Sequence, residues 1–191
     1  MSGPSDGQVT RIPSGRLRQL GPVNWVLAKL GARAVRAPEM HLFTTLGHRQ
    51  SLFWAWLVYG GRVLRGRLPR IDTELVILRV GHLRSCEYEL QHHRRMARAA
   101  GLDAQTQATI FAWPDVPETG GPRRVLSARQ QALLNATDEL ITQRSITTDT
   151  WQQLATHLNR HRLIEFCMLA THYDGLAATI TALEIPLDHP R

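Results

Sequence analysis

The chain has 191 residues, 43% of them apolar and 20% charged. That is enough for one globular domain with a full core, and it excludes a disordered, collagenous or coiled-coil chain. Its net charge of +7 would ordinarily raise nucleic acid as a partner. However, 22 of the 23 basic residues are arginines standing singly or in pairs such as Arg94-Arg95 and Arg123-Arg124, without the motif that a nucleic-acid module adds to its charge.

Residues 1–22 are rich in Gly, Pro, Ser and Arg and read as an N-terminal extension, with a single domain over 23–191. From Pro38 to Leu64 apolar residues recur near helical spacing, predicting two helices or one interrupted one, with Gly47 and Gly60-Gly61 as breaks. Leu68-Pro69 punctuates, and Asp72 or Thr73 is placed to cap a helix running to about Leu83. Ser85 offers the next cap, for a helix from Cys86 to about Ala100 that stops at Gly101. Asp103 caps a short helix ending before Pro114, and residues 114–125 form a loop by composition. Ser127 and Gln130 read as a capping box. Two further helices are expected, from about Thr148 to Leu158 and from about Arg162 to Leu183. No stretch alternates as a strand does, so the expectation is an all-α bundle of seven or eight helices.

The longest apolar run, residues 52–59, is eight residues long, against the about 20 that a membrane-spanning helix needs. The first residues also lack the basic stretch and apolar block of a secretory signal. Cys86 and Cys167 are the only cysteines, too few for a disulfide framework and suited to a reducing compartment. A cytoplasmic protein with no membrane and no nucleic-acid partner is expected.

The chemistry concentrates between Leu68 and His93. Cys86, Glu89 and His93 stand at i, i+3 and i+7, so a thiol, a carboxylate and an imidazole share one helix face. With Ser85 as the cap, Cys86 would sit in the first turn, where unpaired amides and the helix dipole lower a thiol's pKa. Glu74 lies twelve residues before Cys86, and a bend near Arg84-Ser85 would bring it back to the same place. A plainer reading has Cys86 as a small buried apolar residue, Glu89 paired with Arg84 or Arg95, and His93 merely polar. Phe53, Trp54 and Trp56 read as core, as does Cys167 among Phe166, Met168 and Leu169. No metal is expected, because His92 and His93 are adjacent and point to different faces and no His-Glu-x-x-His spacing occurs. No cofactor is expected either, since no phosphate-cradling glycine motif is present.

These residues, with TELVILRV before them, ARAAGLD after them and the later LSARQQALLNATDEL and RLIEFCMLATHYDGL, resemble the carboxymuconolactone decarboxylase family. Its superfamily includes alkylhydroperoxidase D, and the likeness spans about residues 38–186. The peroxidase branch carries a Glu, a Cys-x-x-Cys twelve positions on, and a His four positions after the second Cys. Glu74, Cys86, Glu89 and His93 occupy those four places here, with Glu89 where that branch has its second thiol. One thiol cannot close a dithiol–disulfide cycle locally. Glu89 and His93, as Glu-x-x-x-His, are similar to the lactone decarboxylase branch, where a carboxylate and an imidazole serve proton transfer. The resemblance also implies a homo-oligomer (dimer, trimer or hexamer) and brings the helix of His161, His172 and Tyr173 against the motif helix.

Three readings follow. The first is an acid–base enzyme on a small carbonyl compound or carboxylate-bearing lactone. Glu89 and His93 would divide acid and base work, Glu74 and Tyr88 would orient or exchange protons, and one of Arg65, Arg67, Arg70 and Arg84 would hold a substrate carboxylate. The second is a one-cysteine reductase of hydroperoxides, in which Cys86 attacks, Glu74 and His93 assist, and an external thiol resolves the sulfenic acid. The third is a non-catalytic oligomeric scaffold.

Overall fold

The computed structural model describes residues 10–115 and 126–189. Among these, nine helices and no strand are present: α1 Leu17–Val35, α2 His41–Leu46, α3 Gln50–Leu64, α4 Arg70–Leu83, α5 Glu87–Ala99, α6 Ala104–Ala112, α7 Ala128–Gln143, α8 Thr148–Ala155 and α9 Arg160–Ala182. The all-α expectation holds, and the helix beyond the seven or eight expected is α1. No described helix is long and apolar enough to cross a membrane. The chain falls into two compact units, one of residues up to Leu57 together with those from Thr179 on, the other Val58–Ala178.

In the first unit, α1 begins at Leu17, inside the stretch 1–22 read from composition as an extension. Residues 1–9 lie outside the described ones. Leu20, Asn24, Ala28 and Ala32 form its buried stripe, but alanines and an asparagine carry little hydropathy, and Gly21-Pro22 reads as a breaker. Gly21 takes φ 74°, a left-handed value that glycine adopts freely, and the helix kinks there and resumes at Pro22. Phe43 of α2 meets Phe53 of α3 edge-on at 5.3 Å, and Phe53 stacks on Trp56 at 6.0 Å. Phe53 is fully buried, as a core reading requires, whereas Trp54 is 43% exposed.

The second unit is built around α4. Every residue from Asp72 to Gly81 is buried, the pattern of a helix enclosed on all sides, and α5, α6 and α7 pack against it. Leu75, Val76, Ile77, Leu78 and Val80 supply the apolar contact. The charged residues among them are all paired: Asp72 with Arg129, Glu74 with Arg70 and His93, and Arg79 with Asp138. Asp72 and Thr73 therefore do not cap α4. Its N-cap is Pro69, with no side-chain capping bond. Ser85 is not the cap of α5 either. It takes the left-handed φ of 50° that turns the chain, and Cys86 is the N-cap residue. Gly60-Gly61 do not interrupt α3, because glycine inside a helix costs only about 1 kcal/mol. A Cβ on Gly60 would lie 3.1 Å from His172 Nε2, so the position also favours close approach. Asp103 and Ser127 cap α6 and α7 as expected, accepting from the amides of Thr106 and Gln130. The predicted loop 114–125 lies largely outside the described residues.

Candidate active site

The left-handed Ser85 sends α5 back along α4, and this return brings Glu74 to His93. Glu74 Oε2 lies 2.8 Å from His93 Nδ1. Its other oxygen is 2.7 Å from Arg70 Nη2, one turn earlier on α4. The Glu74 side chain is fully buried and His93 nearly so. A carboxylate on Nδ1 fixes the imidazole tautomer, so that Nε2 is the nitrogen left for exchanging a proton.

Glu89 precedes His93 by one turn of α5 and is 3% exposed. Neither of its oxygens has a hydrogen-bond partner. Gly81 of α4 leaves it room, since a Cβ there would stand 3.1 Å from Leu90 Cδ2 and 3.7 Å from Glu89 Oε2. Burial pushes the Glu89 carboxyl up to about 8, opposed by the Cys86 thiol and reinforced, more weakly than the thiol opposes it, by the nearby Asp174 charge. That thiol approaches Glu89 without the geometry of a hydrogen bond. At neutral pH Glu89 is therefore chiefly a carboxylic acid.

Cys86 departs from expectation. It stands at the head of α5, and the amides of Glu89 and Tyr88 favour a thiolate there, but burial and the charge of Glu89 outweigh them and push the thiol up to about 12. The amides at a helix N-terminus activate a thiol only where solvent or a cation supports the charge, and Cys86 is 3% exposed. Tyr88 is buried against His92, ring centroids 5.2 Å apart, on the face of α5 next to that of Glu89 and His93. Cys167 is half-buried on α9.

Of the four arginines considered for a substrate carboxylate, Arg70 alone is placed at Glu74. Arg84 is engaged elsewhere, its Nε 2.5 Å from Asp174 Oδ1 and its Nη2 2.6 Å from the Ile141 carbonyl. Arg144 holds the other oxygen of Asp174. The plainer pairing of Glu89 with Arg84 is thereby overturned.

Two members of the site come from α9. Tyr173, 7% exposed, lies edge-on to His93 with centroids 5.1 Å apart, and Asp174 is the charge that acts on Glu89. Neither was legible in the spacing of the motif, and Arg70 was named only among the arginines for a substrate carboxylate, although it stands four residues before Glu74. Among the described residues no three His, Cys, Asp or Glu side chains gather as a metal would need. A cavity of about 380 Å³ lies in the first unit, bordered by Trp25, Lys29 and Met40, and no residue of the Glu74–His93 cluster lines it. The chemistry is assigned from the buried cluster, because that is where the reactive groups converge.

Residues 50–142 match the model of the carboxymuconolactone decarboxylase family. That match covers 93 of the 191 residues. The matched segment runs from α3 into the last turn of α7 and holds Arg70, Glu74, Cys86, Glu89 and His93, while Tyr173 and Asp174 lie beyond it. The chain is similar in structure to the alkylhydroperoxidase AhpD core of an uncharacterized peroxidase-related protein from Ralstonia eutropha JMP134, with a TM-score of 0.78 and 14% identity over 95% of this chain and 93% of that one. It is also similar to an uncharacterized peroxidase-related protein from Silicibacter sp. TM1040, with a TM-score of 0.76 and 13% identity over 97% and 94%. A protein of unknown function from Agrobacterium tumefaciens gives a TM-score of 0.64 and 18% identity over 73% and 91%. At these identities the likeness establishes an alkylhydroperoxidase-type helical fold. No curated protein sequence matches the chain.

Proposed function

We propose that this protein is an acid–base enzyme acting on a small lactone or carbonyl acid, with Glu89 as proton donor and His93, backed by Glu74, as proton acceptor. The observation that carries this reading is the Glu89 carboxyl, buried with neither oxygen partnered, one helical turn from an imidazole whose Nδ1 is already held. Leaving a buried polar group unpartnered costs about 1–3 kcal/mol, and a substrate oxygen that accepts from Glu89 offsets that cost. In the forward step Glu89 gives its proton to the carbonyl oxygen while His93 Nε2 takes one from the adjacent carbon. The imidazolium so formed faces the Glu74 carboxylate, which stabilises it. Return of the proton from His93 to carbon and of the hydroxyl proton to Glu89 restores both groups.

The peroxidase-related names of two of the similar structures favour a second reading. In it the Cys86 thiolate attacks the outer oxygen of a hydroperoxide, the O–O bond breaks to give a sulfenic acid and an alkoxide that takes a proton from solvent to leave as the alcohol, and external thiols then reduce the sulfur. A thiol pushed up to about 12 weighs against it, because the thiolate is the nucleophile.

Turnover of small lactones, keto acids and organic hydroperoxides by three proteins separates the two. Under the acid–base reading Glu89→Gln lowers kcat by about 100-fold, the contribution of one positioned proton donor, and Cys86→Ala stays within about threefold of the parent. The opposite ranking would sink that reading in favour of the thiol.

A further inference from the structure

Tyr173 stands between two imidazole rings. On its inner side it meets His93 at 5.1 Å and 89°, and on its outer side His172 at 5.5 Å and 87°. His172 in turn lies edge-on to Tyr59 at 5.1 Å, and Tyr59 is 40% exposed. Tyr173 thus separates the buried cluster from an aromatic pair at the surface. The hydrogen bond to Glu74 holds His93 at one atom, Nδ1, and it alone opposes turning of the ring about Cβ–Cγ, which leaves the ring some freedom. A perpendicular aromatic ring against the imidazole removes that freedom, since edge-to-face pairs have a preferred geometry.

We infer that Tyr173 is a positioning residue of this site: its ring, clamped by His172, fixes the plane of His93 so that Nε2 is aimed where Glu89 can share a substrate with it. The inference rests on the acid–base reading for its catalytic meaning, but the geometry it asserts is independent of any substrate. Burial and the charges of Glu89 and Glu74 raise the phenol well above its ordinary range, so Tyr173 stays neutral and does not compete with His93 as a base. The ring is the part that matters, and Phe is the conservative replacement.

The test compares the parent with Tyr173→Phe and Tyr173→Leu by nitrogen NMR of the imidazoles, with His93 assigned from a His93→Gln variant. The parent and Tyr173→Phe are expected to show one His93 tautomer, Nδ1 protonated and Nε2 bare, as two well-separated nitrogen signals. In Tyr173→Leu the ring turns about Cβ–Cγ out of its hydrogen bond with Glu74, and the two signals converge as it samples both tautomers. With a substrate in hand, kcat of the Leu variant falls at least about tenfold below that of the Phe variant with KM within about twofold, as misplacement of a reacting group requires. Should Tyr173→Leu fail to fold, Tyr173→Met, which fills more of the space, is read in the same way. A folded Leu or Met variant with His93 signals unmoved would overturn the inference. Converged signals with kcat unchanged would leave the positioning standing and count instead against His93 as the base.

Discussion

Replacing Arg79 by methionine is expected to lower the free energy of unfolding by roughly 3–5 kcal/mol, the range for removing one partner of a buried ion pair. Arg79 is 4% exposed. Its Nε and Nη2 engage the two Asp138 oxygens at 2.6 and 2.7 Å. Its remaining donors reach the carbonyls of Ile110, Phe111 and Trp113 at 2.9, 3.2 and 2.8 Å. One guanidinium thus joins α4 to α7 and satisfies the carbonyls at the end of α6, which have no helical partners of their own. Methionine keeps most of the volume but strands a carboxylate and three carbonyls. The Asp138 side chain is 23% exposed, so water partly solvates it and the lower end of the range is expected. Urea unfolding measures the loss, and replacing Asp138 by leucine as well should recover part of it, since the stranded charge is then gone. A loss below about 1 kcal/mol, the net worth of an ordinary hydrogen bond, would show that this cluster does not hold the second unit together.

The largest effect on activity is expected at Glu74. Glu74→Gln keeps the shape of the side chain but removes the charge facing His93 and lets the amide present its NH₂ to Nδ1. The imidazole then favours a proton on Nε2, the wrong tautomer for a base acting through that atom. Such a change costs on the order of 10³–10⁴ in kcat where a carboxylate–imidazole pair is the base. The expected result is that loss in kcat with little change in KM, because Glu74 is fully buried and does not contact substrate. A Glu74→Gln enzyme within about tenfold of the parent would mean that His93 does not need its carboxylate, contrary to a base role worth 10²–10⁴.

The motif was legible because helical spacing is arithmetic. Cys86, Glu89 and His93 at i, i+3 and i+7 had to share a face, and only a reversal near Ser85 was needed to bring Glu74 to His93. The caps at Asp103 and Ser127 were legible for the same reason: each is a local interaction within four residues. What the sequence concealed depended on burial by distant segments. Cys86 looked activated from its place at the head of a helix, yet packing removed the solvent that would have stabilised a thiolate. Arg84 looked free to hold a substrate, but Asp174, 90 residues away, claims it. Tyr173 was placed beside the motif helix by the family resemblance alone and gave no spacing signal of its own, since its contact with His93 arises from α9 folding against α5. The start of α1 was missed because its buried stripe is small and polar and its kink is written as Gly-Pro.

The central claim is that Glu89 waits in the folded protein as a neutral acid. Its proton is held more tightly folded than unfolded, so from the ordinary carboxylate range up to about 8 the folded protein keeps a proton that the unfolded chain has lost. Stability therefore falls as pH rises through that window. The most direct measurement is the carbon NMR titration of the Glu89 carboxyl in glutamate-labelled protein, from about pH 4 to about pH 10, assigned by its disappearance in Glu89→Gln. The account predicts a midpoint near 8, with activity falling as the acid form is lost. A midpoint below about 5, where an ordinary glutamate titrates, would mean that Glu89 is ionised at neutral pH and cannot be the proton donor.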